Sequence, residues 1–66
     1  MEEMMHVTVQ PRDGFLAIAA RLAPGVSTGK KLKFAEVIAA TNNMNLQSVI
    51  HPGQILHIIP STIPTV

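Results

Sequence analysis

The stretches VTVQPRD (residues 7–13) and IHPGQILHIIP (residues 50–60) decide the fold of this chain. Each contains apolar residues at alternate positions over a short span, which is typical of a half-buried β-strand. Proline cannot donate to a β-ladder, so Pro11 and Pro60 end the two strands. In a chain this small, two short strands at opposite ends can satisfy each other's backbone hydrogen-bonding groups only by pairing. We therefore expect strands over residues 5–9 and 54–59, paired with each other and covered on one face.

The first of two amphipathic helices is predicted to follow Pro11. Apolar residues recur at the i, i+3, i+4 and i+7 spacing of one helix face, namely Phe15, Ile18, Ala19 and Leu22. The carboxylate of Asp13 is the expected N-cap, because it can accept hydrogen bonds from backbone N–H groups of the first turn. Pro24 and Gly25 should end this helix, since proline lacks the donor and glycine accepts the left-handed turn.

The second helix is predicted from the same spacing, in Phe34, Val37, Ile38 and Thr41. Ser27 or Thr28 is the expected N-cap, and Asn42 and Asn43 should end the helix because asparagine tolerates left-handed backbone. Both phenylalanines are expected in the core. The predicted order is β-α-α-β, an α+β fold with a two-stranded antiparallel sheet and both helices packed on one face.

Size and composition limit what this chain can do. Its 66 residues allow one domain with a small core, and the absence of cysteine excludes disulfides and thiolate metal sites. A net charge of +1 gives no reason to expect nucleic acid or an anionic membrane as a partner. Only 14% of the residues are charged, against about 25% in typical proteins. This balance suggests that a partner covers some apolar surface.

The N-terminal segment MEEMM (residues 1–5) is acidic and lacks the apolar core of a secretion signal. No run approaches the roughly 18 apolar residues of a membrane span. We therefore expect a chain that is made in the cytoplasm without a signal peptide and does not span a membrane.

Four blocks of the sequence, in order, resemble the LysM (lysin motif) family. They are Val7-Thr8-Val9-Gln10-Pro11-x-Asp13, Leu16-x-Ile18-Ala19, Ile38-x-x-x-Asn42, and Pro52-Gly53-Gln54-x-Leu56-x-Ile58-x-Pro60. The resemblance covers nearly the whole chain and implies the same βααβ fold. It implies a domain over residues 5–60, with a flexible N-terminus over 1–4 and an extended C-terminal tail over 61–66.

LysM domains typically bind glycans that contain N-acetylglucosamine, such as peptidoglycan and chitin. The resemblance places a sugar groove between two loops, lined by Asp13, Gly14, Phe15 and Leu16 on one side and by Val49, Ile50, His51 and Pro52 on the other. The first loop departs from the family pattern. Where the family usually has Gly-Asp-Thr, this chain has Arg12-Asp13-Gly14, so a long cation replaces the small residue and glycine replaces the hydroxyl.

Neither catalysis nor metal binding is indicated by the sequence. The four carboxylates provide no plausible acid/base pair, and two of them are at residues 2 and 3. His6 and His57 are expected on the outer face of the sheet and His51 in a loop, with no ligand spacing on one element. Lys30, Lys31 and Lys33 are expected to be solvated or paired with an acidic partner. We expect no enzyme activity, no cofactor and no metal.

Apolar residues that should point outward are a more informative feature. Successive side chains of a strand point to opposite faces of the sheet. If Leu56 and Ile58 face the helices, then Ile55, His57 and Ile59 point away from them. Together with Ile63 in the tail, these residues form the predicted protein-docking surface (Ile55, His57, Ile59 and Ile63). The alternative is that the tail folds back over the sheet and covers them itself.

Two functions are therefore open. The first is a structural protein, since the chain resembles small standalone LysM proteins of phage tails and contractile-injection assemblies. It would lie in the virion at the tail, baseplate or hub, would be made in the host cytoplasm, and would have other tail proteins as partners. The second is a glycan-binding module for peptidoglycan or chitin, and peptidoglycan is also an additional partner under the first reading.

Overall fold

A computed structural model describes residues 3–66 of the chain. The elements are β1 (Met5–Thr8), α1 (Phe15–Leu22), α2 (Thr28–Thr41), β2 (Ile55–Ile58) and a 3₁₀ turn (Pro60–Thr62). This order and the antiparallel pairing of β1 with β2 confirm the predicted βααβ fold. Of the N-terminus predicted to be flexible, Met1 and Glu2 lie outside the described residues, and residues 3–4 precede β1 without regular structure.

The sheet register fixes which side chains share a face. His6 lies opposite His57, and Val7 lies opposite Leu56. Leu56 and Ile58 are 0% and 1% exposed, which confirms that they turn toward the helices. The pairing continues beyond β1, because the N–H of Val9 donates to the Gln54 carbonyl at 2.8 Å.

A single hydrophobic core fills the space between the sheet and the two helices. Its largest fully buried side chains are Ile18, Ile38, Leu56, Ile58 and Val9. Phe15 and Phe34 are also buried, as the helical spacing predicted. Ala19 of α1 and Ala35 of α2 are both 0% exposed, and the two helices pack against each other.

The helix termini follow the sequence prediction except at one position. The Ser27 hydroxyl accepts from the Lys30 N–H at 3.3 Å, so Ser27 is the N-cap of α2. Gly25 and Asn43 have positive φ values of 85° and 59°, as expected for residues that end helices. The prediction for Asp13 is wrong: the N-cap of α1 is Gly14, with no side-chain cap bond. Asp13 instead turns back toward the preceding loop.

The C-terminal segment is held more closely than its sequence predicted. It begins with the 3₁₀ turn, in which Thr62 N–H donates to the Ile59 carbonyl at 2.9 Å, so the prediction of an extended tail is wrong for its first residues. Ile63 packs against the core. The Lys30 ammonium donates to the Thr65 carbonyl at 3.3 Å, which places the end of the chain beside α2.

Candidate functional site

The outer sheet face, defined here as His6, Thr8, Ile55 and His57, is the first candidate site. These four residues alternate with the core-facing ones, and all four are exposed. None carries a formal charge when the histidines are neutral. Ile55 is 49% exposed, a large value for an isoleucine in a strand.

The other two residues of the predicted docking surface lie elsewhere. Ile59 lies just past β2 and is half-buried. Ile63 is also half-buried and packs against the core, so only part of its side chain is accessible for docking. The tail reaches α2, where Thr62, Pro64 and Thr65 line a groove together with the side chains of Lys30 and Phe34. It therefore does not provide the cover for Ile55 that the alternative reading required.

The second candidate site lies where the loops at the ends of the strands meet. The N–H of Gly53 donates to the Val9 carbonyl at 2.8 Å, which brings the loop after β1 beside the loop before β2. Only some of the residues that the resemblance places along the sugar groove are exposed. Leu16 is 46% and Val49 76% exposed, and Gly14, His51 and Pro52 are exposed as well. Phe15 is buried and Ile50 packs against the core, so the prediction that Phe15 lines a groove is wrong.

Asp13 is engaged within its own loop. One carboxylate oxygen accepts from the Gln10 N–H at 3.0 Å and from the Arg21 guanidinium at 2.9 Å. The Gln10 hydrogen bond is the largest cause of a lowered Asp13 pKa; partial burial opposes it, and the hydrogen bond and charge of Arg21 add to the lowering. A carboxylate oxygen that is already satisfied twice is less available to a sugar hydroxyl.

Asn42 has a role that the sequence prediction missed. Its side-chain oxygen accepts from the His57 N–H at 2.8 Å, and its NH₂ group donates to the His57 carbonyl at 2.9 Å. The amide therefore replaces a neighbouring strand along the outer edge of β2. Asn42 was predicted only to end α2. Its place in the block Ile38-x-x-x-Asn42, which resembles the LysM pattern, was the available signal that it does more than this.

The described residues contain neither a cluster of metal ligands nor a membrane-spanning helix. Between residues 3 and 66, no three His, Asp or Glu side chains gather into a group that could hold a metal ion. Across the same described range, the helices are too short or too polar to cross a membrane. Comparison of the chain with protein-family models, curated proteins and solved structures found no match.

Proposed function

We propose that this chain is a non-enzymatic structural protein that docks onto another protein through its outer sheet face. The observation that carries the proposal is the exposure of Ile55, at 49%, on a face without formal charge. Burial of exposed apolar area is a main driving force of protein–protein association. The cores of protein–protein interfaces are likewise depleted in charged residues.

The path of the C-terminal segment supports the same proposal. If the tail crossed the outer sheet face, the face would be covered within the chain and would need no partner. The tail instead lies along α2, where Lys30 holds the Thr65 carbonyl. Ile55, His57 and their neighbours on β1 thus stay available to another molecule.

The proposed setting is a phage tail, baseplate hub or related contractile-injection assembly, with other tail proteins as partners and the virion as location. This part rests on the resemblance of the four sequence blocks to small standalone LysM proteins. The βααβ order and the two hydrogen bonds between Asn42 and His57 of β2 are compatible with that resemblance.

The docking proposal is tested by Ile55→Lys, with Leu16→Lys as the matched control. Both residues are about half exposed, but Leu16 lies on α1 at a different surface. Both variants should keep the wild-type circular dichroism spectrum. Ile55→Lys should abolish incorporation into assembled tail particles, whereas Leu16→Lys should be incorporated normally. Normal incorporation of a folded Ile55→Lys protein would contradict the proposed docking face.

Glycan binding is the second candidate, favoured by one observation. Val9 and Gly53 bring the loop after β1 beside the loop before β2. The exposed apolar side chain of Leu16 lies in the first turn of α1, which follows the first loop, and that of Val49 lies in the second loop. Apolar side chains of this kind can pack on N-acetyl methyl groups. The test is co-sedimentation with insoluble peptidoglycan or chitin. If the chain is a glycan binder, it should pellet, N-acetylglucosamine oligomers should release it, and Val49→Asp should stay in the supernatant.

A further inference from the structure

Two histidines meet on the outer sheet face. His6 and His57 are directly opposite each other in the sheet register, and their ring centroids are 4.8 Å apart with an interplanar angle of 69°. The backbone N–H and carbonyl of His57 both point away from β1, because they bond to Asn42. His6 and His57 therefore form a non-hydrogen-bonded pair, the arrangement that brings opposing side chains closest in an antiparallel sheet.

The backbone of each histidine is held in place by the surrounding structure. On β2, the residues on either side of His57 are Leu56 and Ile58, which are 0% and 1% exposed. On the other side, Asn42 holds the His57 backbone at both polar groups. His6 is held by the β1–β2 ladder between Met5 and Val7. Sites built on such supported strands are positioned more precisely than sites on loops.

We propose that His6 and His57 form a surface site for a divalent transition metal such as Zn²⁺, with one ring nitrogen from each imidazole. Neutral imidazole is a good ligand for zinc, copper and nickel. Two nitrogens that each lie about 2.0–2.1 Å from one metal ion are roughly 3 Å apart. Opposing side chains of a non-hydrogen-bonded pair can approach that closely by rotating about their side-chain bonds.

The site is an open one. Residues 3–66 place no third His, Asp or Glu ligand beside the pair, so this part of the chain leaves the other coordination positions of the metal open. Both imidazoles lie on the exposed side of the sheet, and the open coordination positions are therefore accessible to a ligand from another molecule. Binding of the first imidazole holds the second at high effective concentration, which raises affinity over that of a single histidine.

This inference does not rest on the docking proposal, because the metal is expected to bind the isolated protein. The test is calorimetric titration of the purified chain with ZnCl₂ at neutral pH in a non-chelating buffer. His6→Ala and His57→Ala should each weaken zinc binding by about 10²-fold, the loss expected when a two-point attachment becomes a single one. His51→Ala should leave the affinity unchanged, since His51 lies in the loop before β2.

Circular dichroism of each variant shows whether it keeps the fold, which is expected because both histidines are exposed. As a second measurement, zinc added to wild-type protein should shift the imidazole NMR signals of His6 and His57 together, at one stoichiometry. The inference is overturned if either single variant binds zinc as tightly as the wild type, or if only one of the two rings responds.

Discussion

At the residue scale, Arg12 occupies a backbone conformation that suits glycine. The Asp13 N–H donates to the Gln10 carbonyl at 3.0 Å and closes a β-turn in which Pro11 is the second residue and Arg12 the third. Arg12 has φ of 69°, as the third residue of a type II turn requires. A residue with a Cβ pays roughly 1–2 kcal/mol for left-handed backbone.

Replacing Arg12 with glycine should therefore stabilise the protein. The gain is about 0.5–1 kcal/mol, because glycine also loses more conformational freedom on folding. Urea denaturation measures it as a higher midpoint of unfolding. Asn43→Gly is the matched control, since Asn43 has a similar φ of 59° but asparagine tolerates it better. A gain at Asn43 larger than the gain at Arg12 would contradict this account of the loop.

Asp13, the residue after Arg12, should make the stability of the protein depend on pH in the acidic range. Its pKa is lowered in the folded state, mainly by the Gln10 N–H. A depressed pKa contributes stability above the unfolded-state value of about 3.9, and that stability is lost as the pH falls through the lower folded-state pKa. Asp13→Asn should thus lower the urea midpoint at neutral pH, and the difference from wild type should shrink below about pH 4. Equal differences at both pH values would show that the carboxylate charge contributes nothing.

At the element scale, periodicity predicted the helices and strands well because burial follows it directly. The period of two in β2 identified Leu56 and Ile58 as core residues, and the helical spacing placed both phenylalanines. Asp13 was assigned the wrong role because a carboxylate between a turn and the start of a helix can accept hydrogen bonds from either one. Residue type predicts the hydrogen bonds available to a side chain, and only the path of the turn selects between them.

The edge of β2 illustrates a contact between elements that local patterns do not reveal, and it gives the next prediction. Asn42→Ala leaves the His57 N–H and carbonyl without their protein partner, which should cost about 1–2 kcal/mol of unfolding free energy. Asn42→Asp should cost more at neutral pH, because it places a negatively charged carboxylate against the carbonyl oxygens of Ile38 and His57, to which Asn42 donates. Urea denaturation measures both variants.

The matched control is Asn45→Ala. The side-chain oxygen of Asn45 accepts from the Gln47 N–H only two residues away, so it links no separate elements. Its loss should change the unfolding free energy by no more than about 0.5 kcal/mol. A loss at Asn45 equal to the loss at Asn42 would mean that the bridge from α2 to β2 is not what stabilises the sheet.

At the scale of the whole molecule, the C-terminal segment was the part of the fold least predictable from sequence. The segment STIPTV (residues 61–66) shows neither helical nor strand periodicity. Its position depends on non-local contacts: the insertion of Ile63 at the core and the bond between Lys30 and Thr65, which are 35 residues apart. The same contacts leave Ile63 of the predicted docking surface half-buried, whereas Ile55 is exposed.

If the segment is part of the domain, removing its core contact should destabilise the whole protein. Ile63→Ala should lower the unfolding free energy by about 1–2 kcal/mol, less than the roughly 2–5 kcal/mol typical of fully buried residues because Ile63 is half-buried. Val66→Ala is the control, because Val66 is 92% exposed and should change stability by less than about 0.5 kcal/mol. Thermal and urea unfolding of both variants measure the difference. An Ile63→Ala protein as stable as Val66→Ala would mean that the segment only rests on the surface of α2 beside Lys30 and Phe34 and does not contribute to the stability of the domain.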